Sequence, residues 1–220
     1  MLIMYRKLNN KYNLSVEGET EKWYFEWLQS EINKTVSATA TVSFKSLKIE
    51  KNPIKYVKGL IGIGKLEAVH ICDKESNEPN HTVQFLNTLK ALKESQKQGK
   101  IVKYDLGYSN YTFDLWIILH KIECKCFFTD RNRYIEKINS AYNERFQNMN
   151  EYKHEANFKR ILRCLSLADV KAAIVRAKSI RTHNLTNCTK QSKYGYDYFE
   201  SNPDLSIHIF VEKVLEDAGI

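Results

Sequence analysis

No stretch of the sequence approaches the roughly 20 consecutive apolar residues that a membrane-spanning helix needs. The opening Met1, Leu2, Ile3, Met4, Tyr5, Arg6, Lys7 meets polar Asn9 and Asn10 too soon to supply the apolar core of a secretion signal. Together these absences lead to the expectation of a soluble, cytoplasmic chain with no membrane partner. Paired cysteines are lacking as well. Cys72, Cys124, Cys126, Cys164 and Cys188 are an odd number, scattered along 220 residues, which argues against a disulfide framework and suits a reducing compartment. The one close pair, Cys124 and Cys126, has no second pair to complete a structural zinc site. A working phosphate-binding loop is missing too: Gly62, Ile63, Gly64, Lys65 resembles a scrap of one, but Leu66 stands where serine or threonine is required. ATP hydrolysis by this chain is therefore not expected, and any ATPase activity would come from a partner. No internal repeat and no long linker is visible.

What is present is charge and alternation. An excess of 34 Lys and Arg over 26 Asp and Glu gives a net charge of +8 and an isoelectric point near 9.1, a balance that favours an anionic partner such as nucleic acid. Short β-like runs near Asn13 to Val16, Ala38 to Phe44, Ala68 to Cys72 and Ile101 to Leu106 alternate with helical segments near Thr20 to Asn33, Pro53 to Ile61 and His81 to Gln98. This alternation predicts an α/β fold with a largely parallel sheet. The third helix carries Phe85, Leu86, Leu89 and Leu92 on one face, with Asn80 placed to cap its start and Gly99 to end it. An apolar helix, Phe113 to His120, follows the fourth strand. After Thr129 the pattern turns helical, near Arg131 to Phe146, Asn157 to Leu165, Leu167 to Arg181 and Leu205 to Asp217, with polar Thr182 to Ser201 read as a surface loop. The expected organisation is an α/β core over residues 1–128 and a helical extension over 129–220 packed on it.

Two acidic motifs carry the chemistry. Val16, Glu17, Gly18, Glu19, Thr20, Glu21 falls where a strand gives way to a helix, and in a parallel sheet the carboxyl ends of strands border the natural crevice for a site. Val69, His70, Ile71, Cys72, Asp73, Lys74, Glu75 ends a second strand in two acids at i and i+2, which share a side on an extended chain. If these strands are neighbours, Glu17, Asp73 and Glu75 converge, and three like charges need compensation, most simply by a hard cation such as Mg²⁺ or Mn²⁺. The competing reading is that each acid merely caps a helix. Ser109 and Asn110, after the fourth strand, either reach the same crevice or form a turn. His120 either lies near a metal or is a satisfied histidine at a helix end, and His70 is expected to be structural. Lys74, between the acids, should point to the opposite side, as a structural or phosphate-contacting residue. Lys171, Lys178 and Arg181 are read either as a strip that contacts a nucleic-acid backbone or as a solvated face. Tyr194, Tyr196 and Tyr198 stand nearby to stack on bases.

The E-G-x-T-E piece at Glu17 to Glu21 and the acidic pair Asp73 and Glu75 resemble a Toprim domain. The run from Ser109 and Asn110 through Phe113, Asp114 and Trp116 to His120 is similar to the S-N-x-x-F-E-x-W-L-L-L-H block of the RloB family. Ala173 to Lys178 resembles that family's A-x-x-x-A-K helix, and Asn202, Pro203 and Val211 resemble its closing N-P and V. The resemblance spans about Leu14 to Leu215. It implies a Toprim-like parallel core with a helical tail, and a metal-dependent nuclease of anti-phage defence encoded beside an ATPase. The implied substrate is DNA or tRNA. Carried across, Glu17 matches the metal-binding glutamate and Asp73 and Glu75 the acidic pair, with Glu21, Ser109, Asn110, Asp114 and His120 as possible support. Glu75 stands where aspartate is usual and Asp114 where glutamate is usual. The alternative function is a Toprim-like module that binds nucleic acid or the ATPase without cleaving. Whether the chain forms a homo-oligomer is left open by the sequence.

Overall fold

The structure is a computed structural model, and it describes residues 7–62, 66–98 and 101–220. Gly99, and Ile63 to Lys65 of the phosphate-loop scrap, lie outside the described residues. The central sheet has five strands: β2 (Asn13–Val16), β4 (Lys48–Ile49), β5 (Leu66–Lys74), β6 (Ile101–Asn110) and β9 (Asp204–Leu205). Their order is β4-β2-β5-β6-β9, with every pair parallel except β6 and β9. The mixed α/β architecture with a mostly parallel sheet is thus as expected. β1 (Leu8–Lys11) and β3 (Ala40–Ser43) form a separate parallel pair, so the second expected strand exists but stands outside the central sheet.

The strands form where a parallel sheet needs them. β5 is covered on both faces, and it buries Ala68, Val69, His70, Ile71 and Cys72 as one continuous run rather than in alternation. Helix α1 (Glu19–Lys34) buries Tyr24, Phe25, Leu28 and Ile32 on one stripe against the sheet. Helix α2 (Pro53–Gly59) starts from Asn52, whose side chain accepts from the Lys55 N–H. Helix α3 (Pro79–Ser95) begins earlier than expected, with Pro79 at its first turn after Glu78, so Asn80 lies inside the helix rather than capping it.

After β6 the chain is helical: α4 (Asp114–Leu119), α5 (Tyr134–Tyr142), α6 (Met149–Lys153), α7 (Glu155–Arg163), α8 (Leu167–Asn187) and, after β9, α9 (Ile207–Asp217). Helix α8 opens on a capping box between Ser166 and Asp169. Residues Thr182 to Ser201 are not a loop. Helix α8 runs on to Asn187, and an antiparallel hairpin follows, β7 (Lys190–Lys193) and β8 (Tyr196–Phe199), turning at Tyr194 and Gly195 with φ of 55° and 90°. One large apolar cluster runs through both halves of the chain, from Leu14 and Phe25 through Trp116 and Leu119 to Phe158, Val170 and Val211. Among the described residues no helix is long and apolar enough to cross a membrane.

Candidate active site

β2 and β5 are neighbours in register, Val16 beside Ile71, so β2 ends alongside the last residues of β5, which runs on to Lys74. Glu17, one residue past β2, therefore reaches across to the end of β5, where its Oε2 accepts the Asp73 backbone N–H at 3.1 Å. Glu21 lies in the first turn of α1 and accepts the Thr20 hydroxyl at 3.0 Å. The intervening Gly18 permits close approach, since a Cβ there would stand 2.9 Å from the Glu21 Oε2. Across the next ladder Ser109 pairs with Asp73, which puts both side chains on one face of the sheet. Asp114, at the start of α4, is fully buried; its Oδ2 accepts the Thr112 hydroxyl at 2.8 Å and lies 2.8 Å from the Lys153 Nζ.

Glu17, Glu21, Asp73 and Asp114 form one electrostatic group, with the ammonium of Lys153 acting on Glu21, Asp73 and Asp114. Burial first, then the neighbouring carboxylates, raises the carboxyls of Glu21 and Asp73 above their ordinary range. Burial likewise pushes the Glu17 carboxyl up to about 7, against the pull of its bond from the Asp73 N–H. Asp73 Oδ1, Asp114 Oδ1 and Ser109 Oγ are buried with no hydrogen-bond partner, a costly state for oxygens in a protein interior.

Glu75 does not join the group. β5 ends at Lys74, so the alternation that would put Glu75 beside Asp73 stops one residue short. Its carboxylate turns outward to His81 Nε2 at 2.9 Å and Arg131 at 3.5 Å, and it reaches Glu17 only as a minor charge. Lys153 is the residue that sequence reasoning missed. It belongs to α6, a helix of five residues in a segment without a clear apolar stripe.

The family model for RloB-like proteins matches residues 12–214, nearly the whole chain. The chain belongs to the RloB-like family. No curated protein and no solved structure matches it.

In this RloB-like protein the remaining expected residues separate by burial. Asn110 is the last residue of β6, not a turn residue, and its amide donates to the carbonyls of Phe199, Glu200 and Ser201, tying the sheet to the segment after β8. His120 is enclosed: its Nδ1 lies 2.8 Å from the Trp116 carbonyl and its Nε2 3.2 Å from the Tyr24 hydroxyl, and burial brings its pKa down to about 4. His70 is buried against the Ser15 hydroxyl, as expected of a structural histidine. Lys74 does face away from Asp73, but it is buried and bound to Asn77 at 2.6 Å rather than displayed to a phosphate. Arg181 is also turned inward, onto Asp204 at 2.5 Å and the Tyr108 hydroxyl at 2.9 Å, so the basic strip on α8 loses its third member. Lys171 is exposed, and Lys178 is exposed but paired with Glu212. Of the tyrosines, Tyr198 is in the core and Tyr196 is bonded to the Tyr104 carbonyl, which leaves Tyr194 exposed.

The carboxyl group suits a hard divalent cation by its donor chemistry: oxygens throughout, incompletely neutralised, with two buried carboxylate oxygens unpartnered. It is not a closed cage. Among the described residues no three His, Cys, Asp or Glu side chains are gathered as a ready-made metal cluster, and Lys153 supplies the positive charge.

Proposed function

We propose that this RloB-like protein is a Toprim-type nuclease, dependent on Mg²⁺ or Mn²⁺, that hydrolyses phosphodiester bonds of DNA or tRNA in anti-phage defence alongside an ATPase. The observation that carries the reading is the meeting of Glu17 and Asp73 at the carboxyl ends of adjacent parallel strands, with Glu21 and Asp114 behind them and two buried oxygens unpartnered. Glu17 and Asp73 would hold the metal, with Glu21 and Asp114 supplying further negative charge. A divalent cation there supplies a Lewis acid that activates water and offsets charge on the phosphoryl oxygens.

The protein's own groups suit the remaining tasks. Glu17 would act either as a ligand of the metal or, if unligated, as the base that takes a proton from the attacking water, a role that its raised carboxyl suits in the metal-free chain. The Ser109 hydroxyl, across the ladder from Asp73, is unpartnered but fully enclosed, so it faces the carboxylate group rather than a substrate phosphate. The net charge of +8 favours a polyanionic substrate over a small neutral one.

The test is incubation of the purified chain with total tRNA and with plasmid DNA, in Mn²⁺, Mg²⁺ or EDTA, with and without the neighbouring ATPase. Cutting should need the metal and should fall by ~100-fold or more in Asp73→Asn, the scale on which losing one charge-stabilising group slows such reactions. A second reading, a binding module without cleavage, is favoured by the outward turn of Glu75. It predicts nucleic-acid affinity that survives both EDTA and Asp73→Asn, and no cutting even with the ATPase present.

A further inference from the structure

The acidic group is braced by an ammonium that arrives from a distant part of the chain. Lys153 ends α6, and its Nζ sits 2.8 Å from an Asp114 carboxylate that is 0% exposed, while its own side chain remains 37% exposed. Its charge is also felt at Asp73 and Glu21. Two ammonium groups, Lys153 beside Asp114 and Lys51 acting on Glu17, face four carboxyl groups and leave them under-compensated, and Asp73 Oδ1 and Asp114 Oδ1 are buried without partners. A divalent cation entering this pocket is attracted by the carboxylates and repelled by Lys153.

We infer that Lys153 is a placeholder cation, which pairs with Asp114 to hold the carboxylate group together in the metal-free protein and, as a positive charge near Asp73, lowers the group's affinity for a divalent metal. The inference rests on reading this pocket as a metal site. A lysine with part of its side chain exposed can turn its head to water through new rotamers, but Asp114 would then keep only the Thr112 hydroxyl, so withdrawal needs a cation to take the place of Lys153. An ordinary structural ion pair makes a different prediction, because its loss would weaken the protein equally with and without metal.

The discriminating experiment is Mn²⁺ titration calorimetry on the full chain, together with thermal melting in EDTA and in saturating Mn²⁺, for wild type, Lys153→Met and Asp73→Asn. The expected result is that Lys153→Met binds Mn²⁺ more tightly by on the order of tenfold, as removing a nearby like charge implies. It should melt below wild type in EDTA and recover most of that deficit in Mn²⁺. A Lys153→Met chain too unstable to fold in EDTA but folded by added Mn²⁺ gives the same support; one that stays unfolded in Mn²⁺ overturns the inference. If the wild type binds Mn²⁺ through Asp73 while Lys153→Met binds no more tightly, the placeholder role alone is wrong. If neither binds Mn²⁺, the metal-site reading fails and takes this inference with it.

Discussion

His120 caps the end of α4 with both ring nitrogens engaged, Nδ1 facing the Trp116 carbonyl and Nε2 facing the Tyr24 hydroxyl, an arrangement that suits the neutral ring. Burial lowers its pKa from 6.5 to about 4. Below the ordinary value the unfolded chain takes up a proton that the folded chain refuses, so the stability His120 contributes is complete above about pH 6.5 and drains away as the pH falls towards 4. The melting-temperature gap between wild type and His120→Gln should therefore narrow between about pH 7 and about pH 4.5; a gap of constant size contradicts this role. The same burial explains what was legible here. A histidine at a helix end reads two ways in sequence, and only the Tyr24 ring from α1, packed against it, decides between them. Glu17 and Asp73 were legible because each ends a β-like run. Glu75 points away from Asp73 because the i and i+2 rule holds only while the chain stays extended, and β5 stops at Lys74. Lys153 carries no local sign of its role, since the pocket it enters is assembled from residues far earlier in the chain.

Gly107 shows how an element is positioned by what a residue lacks. A Cβ there would stand 2.5 Å from the Ile71 Cδ1 on β5 and 3.6 Å from the Ile207 Cα at the start of α9. The glycine thus lets Ile71 lean across β6 and lets α9 approach the sheet. Gly107→Ala should cost about 1–3 kcal/mol, the usual penalty for over-filling a packed core, measured as a shift in the denaturant midpoint; a neutral result contradicts the close packing. β5 was readable because burial on both faces makes Ala68 to Cys72 a nearly unbroken apolar run. The hairpin β7–β8 was not, because its residues are polar and a polar run reads as a surface loop. Its available signal was Tyr194-Gly195, two residues with positive φ in a two-residue turn, which is the chemistry hairpins favour. The overrun of α8 to Asn187 had a signal as well: Ile180 and Asn184 are four apart on its buried face, continuing the row of Ala173 and Ala177.

At the scale of the whole molecule the two halves of the sequence make one body. Asp204 of β9 accepts from Arg181 and Asn184 of α8 and from the Tyr108 hydroxyl of β6, so the last strand is locked to the sheet by a buried polar network. The parallel α/β plan was evident from the alternation of elements. The antiparallel β9 was not, being two residues whose pairing with Ser109 and Asn110 is set by that network rather than by propensity. The candidate site depends on the same union, because Glu17, Glu21 and Asp73 come from the α/β part, Asp114 from the helix that follows it, and Lys153 from the helical extension. If this assembled group of carboxylates binds a divalent cation, crystals grown with Mn²⁺ should give an anomalous diffraction peak between Glu17 and Asp73, with carboxylate oxygens at about 2.1–2.2 Å, typical of a small hard cation, and Lys153 drawn back from Asp114. A saturated crystal with no peak there, and Lys153 still seated on Asp114, would contradict it.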